Sequence, residues 1–114
     1  MSVAALALGI AGRGWLRAQG EPPHPETQKL VLENMFVRVW DIHVAPGVFE
    51  PVHSHGRGLT IAMSDYDNET VSYPGKKVNR GHTAFGEVKW VEPVTHEARN
   101  TGKTEQHVVR IELK

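Results

Sequence analysis

Cysteine is missing from this chain, which removes disulfides, thiolate metal ligands and a cysteine nucleophile together. The compartment stays open, because a cysteine-free chain suits any redox environment. An excess of charge is missing too, since thirteen Lys and Arg side chains stand against thirteen Asp and Glu. With no broad positive field to attract a phosphate backbone, nucleic acid is not an expected partner. Long hydrophobic runs are also lacking. The apolar run from Val3 to Gly12 falls short of the roughly 20 residues that a membrane-spanning helix needs, so no membrane span is expected. At 114 residues with 39% hydrophobic side chains, the composition is that of one domain around one core.

The chain divides into an N-terminal segment, residues 1–26, and a strand-rich domain, residues 27–114. Val3 to Gly12 has the size of a signal-peptide core, and Ala18-Gln19-Gly20 offers small residues where a signal peptidase would cut. Against that reading, no Lys or Arg precedes the run, while Arg13 and Arg17 follow it. A signal-like segment, a helical arm and a disordered tail are all compatible with these residues. The localisation is accordingly cytoplasmic or, with a signal peptide, exported. The fold core is expected to begin near Gln28, with residues 1–20 adding little to its stability.

From Gln28 onward, short apolar runs alternate with turn chemistry. Lys29 to Leu32 reads as a first strand and Met35 to Val44 as the longest, apolar on both faces. One face would meet the core and the other a second chain or the N-terminal segment, so a homodimer is expected. Ala45-Pro46-Gly47 turns the chain into a segment carrying His53 and His55. Leu59 to Ser64 and Glu69 to Tyr73 read as strands, with Asp65 to Asn68 as a turn and Asn79 to His82 as turn signals. Asn68-Glu69-Thr70 fits a glycosylation sequon, a three-residue pattern that arises often by chance. Trp40 and Trp90 read as core residues. In the last strand His107, Val109, Ile111 and Leu113 share one face, which places His107 in phase with an apolar side. The pattern as a whole predicts an all-β sandwich or barrel.

His53 and His55 are two residues apart in an extended segment, so both side chains face one side and can reach a common point. Such a pair is also compatible with two surface polar residues. A third candidate, His96, follows in Pro93-Val94-Thr95-His96-Glu97-Ala98-Arg99-Asn100. Gly47 with five residues before His-x-His, and later Gly86, His96 and Asn100, resemble the two motifs of the cupin family over about residues 34–114. The resemblance implies an antiparallel jelly-roll β-barrel, histidines from both motifs sharing one metal, and pairing through sheet faces. The family's usual first-motif glutamate would fall at Leu59 or Thr60, and neither is an acid.

Three neutral imidazoles, His53, His55 and His96, would leave open positions where water, dioxygen or a chelating substrate binds. The implied cofactor is a divalent transition metal, Fe, Zn, Ni, Mn or Cu. Three readings follow: a mononuclear metal enzyme such as an iron(II) dioxygenase acting on a small organic molecule, a non-catalytic small-molecule binding or sensing barrel, and a barrel whose histidines hold no metal. Arg57, beside the pair on a glycine-flanked loop, is a candidate for a substrate carboxylate. His24 and His82 are expected to be solvated, His43 to lie near the barrel mouth, and His107 to be the rival for a further ligand position.

Overall fold

Nine strands account for about two thirds of the backbone that the computed structural model describes, which is residues 24–114. The readings made above for residues 1–23 lie outside the described residues. The strands are β1 Gln28–Glu33, β2 Val37–Val44, β3 Phe49–His55, β4 Gly58–Ala62, β5 Tyr66–Tyr73, β6 Lys77–Thr83, β7 Val88–Val91, β8 Val94–Asn100 and β9 Gln106–Leu113. All pair antiparallel, in a five-stranded sheet ordered β1-β2-β9-β4-β7 and a four-stranded sheet ordered β3-β8-β5-β6. Their inner faces enclose the core and the site, a jelly-roll arrangement of two packed sheets.

Strand β2 builds the core because Trp40, Ile42 and Val44 alternate inward and are buried. They pack with Val108 of β9, and Leu30 and Tyr66 close over the cluster. Burying such side chains contributes about 1.5–3 kcal/mol each. Gly58 lets β4 close on β9: a Cβ there would stand 2.0 Å from the carbonyl oxygen of Ile111. Only hydrogen fits.

The last strand corrects the sequence reading. Its inward face is Gln106, Val108, Arg110 and Glu112, all buried, whereas His107, Val109, Ile111 and Leu113 point outward. The apolar phase therefore marks the outside of the sheet, and His107 is removed from the inner site. The physical reason is that the interior at this level is polar: Arg110 and Glu112 face partners there, not water. Trp90 is corrected in the same way, being 52% exposed on the outer face opposite Leu59. Leu32, Val39, Ile111, Leu59 and Trp90 form one apolar row across all five strands.

Two expected turns are strand. Tyr66, Asp67 and Asn68 begin β5, and Asn79 to His82 lie within β6, an edge strand that is exposed along most of its length. Their polar residues resemble turn chemistry because Asn68 lines a polar cavity and β6 faces solvent. The sequon asparagine thus lies on a strand of the β5–β6 hairpin and lines the cavity.

Candidate metal centre

The site begins with an irregularity in β3. Pairing with β8 shifts between Glu50 and His53, so Pro51 and Val52 form a bulge and both are exposed. Proline suits a bulge because it has no N–H to offer the ladder. The extra residue brings Glu50, His53 and His55 to the same inner face, although Glu50 and His53 are three apart in sequence. Across the ladder His53 sits directly opposite His96 of β8.

Asn100 fixes the turn that precedes this strand. It is 1% exposed, and its Nδ2 donates to the carbonyls of Val44 and Thr104, each at 2.9 Å. Its Oδ1 accepts from the Gly102 N–H at 2.9 Å, and its backbone exchanges bonds with Gly47 and Val48. Gly47, at φ +79°, supplies the left-handed residue that the turn requires.

The three histidines converge. Their ring centroids are separated by 4.7 Å for His53 with His55, 4.7 Å for His53 with His96, and 5.2 Å for His55 with His96. One ligating nitrogen from each lies within 4.8 Å of the others. The His53 Nδ1–H donates to the Pro51 carbonyl at 2.6 Å, which leaves its Nε2 as the lone-pair nitrogen. That nitrogen accepts from the Gln28 amide at 3.2 Å. This is the tautomer control that metal-ligating histidines use.

Electrostatics keep the set neutral. Burial holds His53 below the ordinary imidazole range, and burial followed by the positive field of Arg110 does the same for His55. His96 is lowered to about 4, first by burial, then by His53 and Arg110. Neutral imidazoles are the form that binds a metal.

Glu50, Gln28 and Arg110 are site residues that the spacing argument did not reach. Glu50 is buried and accepts from the Thr27 hydroxyl and from Gln28 Nε2, the latter at 3.3 Å. Arg110 is 9% exposed, and burial lowers its pKa to about 10 against the opposing effect of Glu50, Glu112 and Tyr66, so it stays a cation at neutral pH. Its Nη1 donates to His55 Nδ1 at 2.9 Å. Arg57, a candidate for a substrate carboxylate but more readily a solvated loop residue, is exposed and does not line the cavity. The available signals were the positions of Arg110, between Val108 and Glu112 in a strand paired on both sides, and of Glu50 just before a proline.

The cavity has a volume of about 90 Å³ and is lined by the three histidines with Glu50, Thr60 and Arg110 among others. That is room for several ordered waters. Three polar atoms around it, Gln28 Oε1, His55 Nε2 and Arg110 Nε, are buried without a protein hydrogen-bond partner. Such orphaned atoms fit a site made for an additional group. His24, expected to be solvated, instead packs its ring on Trp40 at 4.2 Å and lies 6.3 Å from His55. His82 is exposed and bonded to Asp67, and His43 is exposed on the outer sheet face.

No protein-family model and no curated protein matches this sequence. Solved structures do match. A cupin domain from Bordetella pertussis Tohama I superposes with a TM-score of 0.69 at 21% identity, over 76% of this chain and 91% of that one. The fold is the cupin jelly roll. A Klebsiella pneumoniae protein with a double-stranded β-helix domain gives a TM-score of 0.59 at 23% identity, over 81% of this chain and 78% of that one. An RmlC-like cupin from Desulfovibrio desulfuricans gives 0.52 at 23% identity, over 75% and 79%. Likeness at this identity concerns the cupin fold alone; the chemistry has to be read from the site.

Proposed function

We propose that this cupin is a metal-dependent protein acting on a small organic acid, with His53, His55 and His96 holding one divalent transition metal ion. The observation that carries this reading is the convergence of three neutral imidazoles from β3 and β8 on a polar cavity. An ion bound there supplies Lewis acidity at its open positions and, if it is iron(II), the redox chemistry of a dioxygenase. Iron, zinc, nickel, manganese and copper all accept this donor set.

The chain's own residues define the rest. The Pro51 carbonyl holds the His53 proton on Nδ1 and keeps Nε2 directed to the cavity. Glu50 offsets positive charge without standing among the three nitrogens. Arg110 presents a planar fork to the cavity with its Nε unpartnered, which suits a carboxylate.

A second reading, ligand binding without turnover, is favoured by the hydrogen bond from Arg110 to His55, which occupies one of the three imidazoles. Anaerobic loading with iron(II), then oxygen uptake with a panel of small carboxylic acids, separates the two. Metal-dependent uptake with any acid supports turnover; saturable binding of an acid without uptake supports the second. Absence of bound metal under every loading condition would overturn both.

As a partner we propose a second copy of the chain on the outer face of the five-stranded sheet. Leu59 and Trp90 are exposed there beside half-buried Val39, Ile61 and Ile111. A continuous apolar stripe of this kind is an association surface.

A further inference from the structure

Outside the barrel, β2 and β9 bring together a second set of metal-binding side chains. His43 and His107 are direct cross-strand partners, with rings stacked 3.9 Å apart at 21°. Asp41, two residues before His43 and so on the same face, reaches both: its Oδ1 is 2.8 Å from His107 Nε2, and its Oδ2 is 3.1 Å from His43 Nε2. The other ring nitrogen of His43, Nδ1, faces Glu105 Oε2 at 3.3 Å. Glu105 and His107 are in turn tied to one side chain, since Ser64 Oγ donates to the Glu105 carbonyl at 2.7 Å and accepts the His107 N–H at 2.9 Å.

The tautomers carry the argument. When His43 Nδ1–H donates to Glu105, Nε2 presents a lone pair to a carboxylate oxygen that also presents lone pairs. Two acceptors at that distance need a cation between them, either a proton or a metal ion. At His107 the Nε2–H can itself donate to the other oxygen of Asp41. One divalent ion can stand in place of both protons, since a metal competes with protons for the same nitrogen lone pairs. Bonds of about 2.0 to 2.1 Å from nitrogen and oxygen to one zinc ion, at near-tetrahedral angles, put donor atoms about 3 to 3.5 Å apart. The contacts at 2.8 and 3.1 Å are close to that spacing. A carboxylate on the far ring nitrogen is also the usual support of a metal-ligating histidine. All three side chains keep partial access to solvent, from 28% to 44%, so an ion can enter and retain water.

We infer that Asp41, His43 and His107 form a second, outward-facing site for a divalent transition metal such as zinc, nickel or copper, with Glu105 fixing the His43 ring. The local field agrees: burial opposes charge at Asp41, but hydrogen bonds from His107 and His43 outweigh it and hold the carboxylate below its ordinary range. The site is independent of the inner histidines, being on the opposite face of the sheet.

Calorimetric titration of the metal-free chain with zinc tests this. Two equivalents are expected for the unaltered chain, one for His43→Ala and one for His107→Ala, with His96→Ala retaining the outer equivalent. Glu105→Gln should weaken the outer site about tenfold, the lower end of the effect of losing such a support. If the inner histidines bind no zinc, the unaltered chain binds one equivalent and His107→Ala none, which still supports the outer site. Equal stoichiometry in His43→Ala, His107→Ala and the unaltered chain overturns it. Should either variant fail to fold, imidazole nitrogen NMR of the unaltered chain decides: zinc must move His43 Nε2 and His107 Nε2 to metal-bound positions, and unmoved signals contradict the site.

Discussion

Arg110 Nη1 lies 2.9 Å from His55 Nδ1, so a guanidinium already holds one of the three imidazoles that converge at the inner site. A guanidinium only donates, so Nδ1 is the accepting nitrogen and the His55 proton is on Nε2. Whichever ring nitrogen ligates, this arrangement has to change: a metal on Nδ1 competes with Arg110 directly, and a metal on Nε2 requires that its proton leave. The arginine and the metal oppose each other. Replacing the cation with a neutral side chain of similar length, Arg110→Gln, should therefore tighten metal binding about tenfold or more, equivalent to one pKa-sized unit of ~1.4 kcal/mol. Thr60→Glu should act in the same direction, because Thr60 is the register partner of Arg110 and a carboxylate there would draw the guanidinium from His55. Direct titration with a single chosen ion checks both, and unchanged or weaker binding in Arg110→Gln would show that the arginine supports the ion.

Acid should destabilise the metal-free protein in a defined window. The three buried histidines have folded pKa values below their unfolded values, His96 at about 4. Above pH ~6.5 both states are neutral at these groups, and stability is fully present. As pH falls toward 4 the unfolded chain takes up protons that the folded chain refuses, so stability is lost. The melting temperature of the metal-free chain should drop across this range, and the drop should lessen in His96→Ala. Proton competition for bound metal should also begin below the ordinary histidine value, since burial has already excluded protons from the site. A flat melting temperature from pH 7 to 4 would contradict the burial argument.

Asn100→Ala should cost roughly 2 to 3 kcal/mol, because it strands the buried Val44 carbonyl and removes two partly buried bonds, to the Thr104 carbonyl and from the Gly102 N–H. The same variant should lower metal affinity indirectly, through the turn that sets β3. Denaturant melts of the metal-free protein measure the first effect; a loss below about 1 kcal/mol would mean that the turn holds by other contacts.

The outer sheet face predicts self-association. The unaltered chain should show dimer mass by light scattering at micromolar concentration, and Trp90→Lys together with Leu59→Lys should show monomer mass. Monomer mass for the unaltered chain would remove a second copy as the partner of this face.

How much of this could be read from sequence depended on whether periodicity and environment agreed. They agreed at Trp40, Ile42 and Val44, where alternation meets an apolar core. His53 and His55 were legible from their spacing on a strand and His96 from the resemblance to the second cupin motif, and the structure brings the three together. At β9 the two diverged: the buried phase carries Arg110 and Glu112, and the apolar phase faces outward, so hydrophobicity chose the wrong side for His107. Glu50 was hidden by the bulge, since a residue three before His53 is out of phase until Pro51 and Val52 are pushed from the ladder. Arg110 was missed because the apolar phase of the last strand was taken for its inner side, which put the arginine outside. Asn68 resembled turn chemistry because a polar cavity needs polar strand residues.

The central claim is that β3 and β8 together hold one metal ion at the inner site. Elemental quantification on protein loaded with one chosen ion tests it most directly, comparing the unaltered chain with His96→Ala in the His107→Ala background, which removes the outer site from the count. The account predicts about one equivalent in His107→Ala alone and a sharp fall when His96→Ala is added. Equal metal content in the two would contradict it.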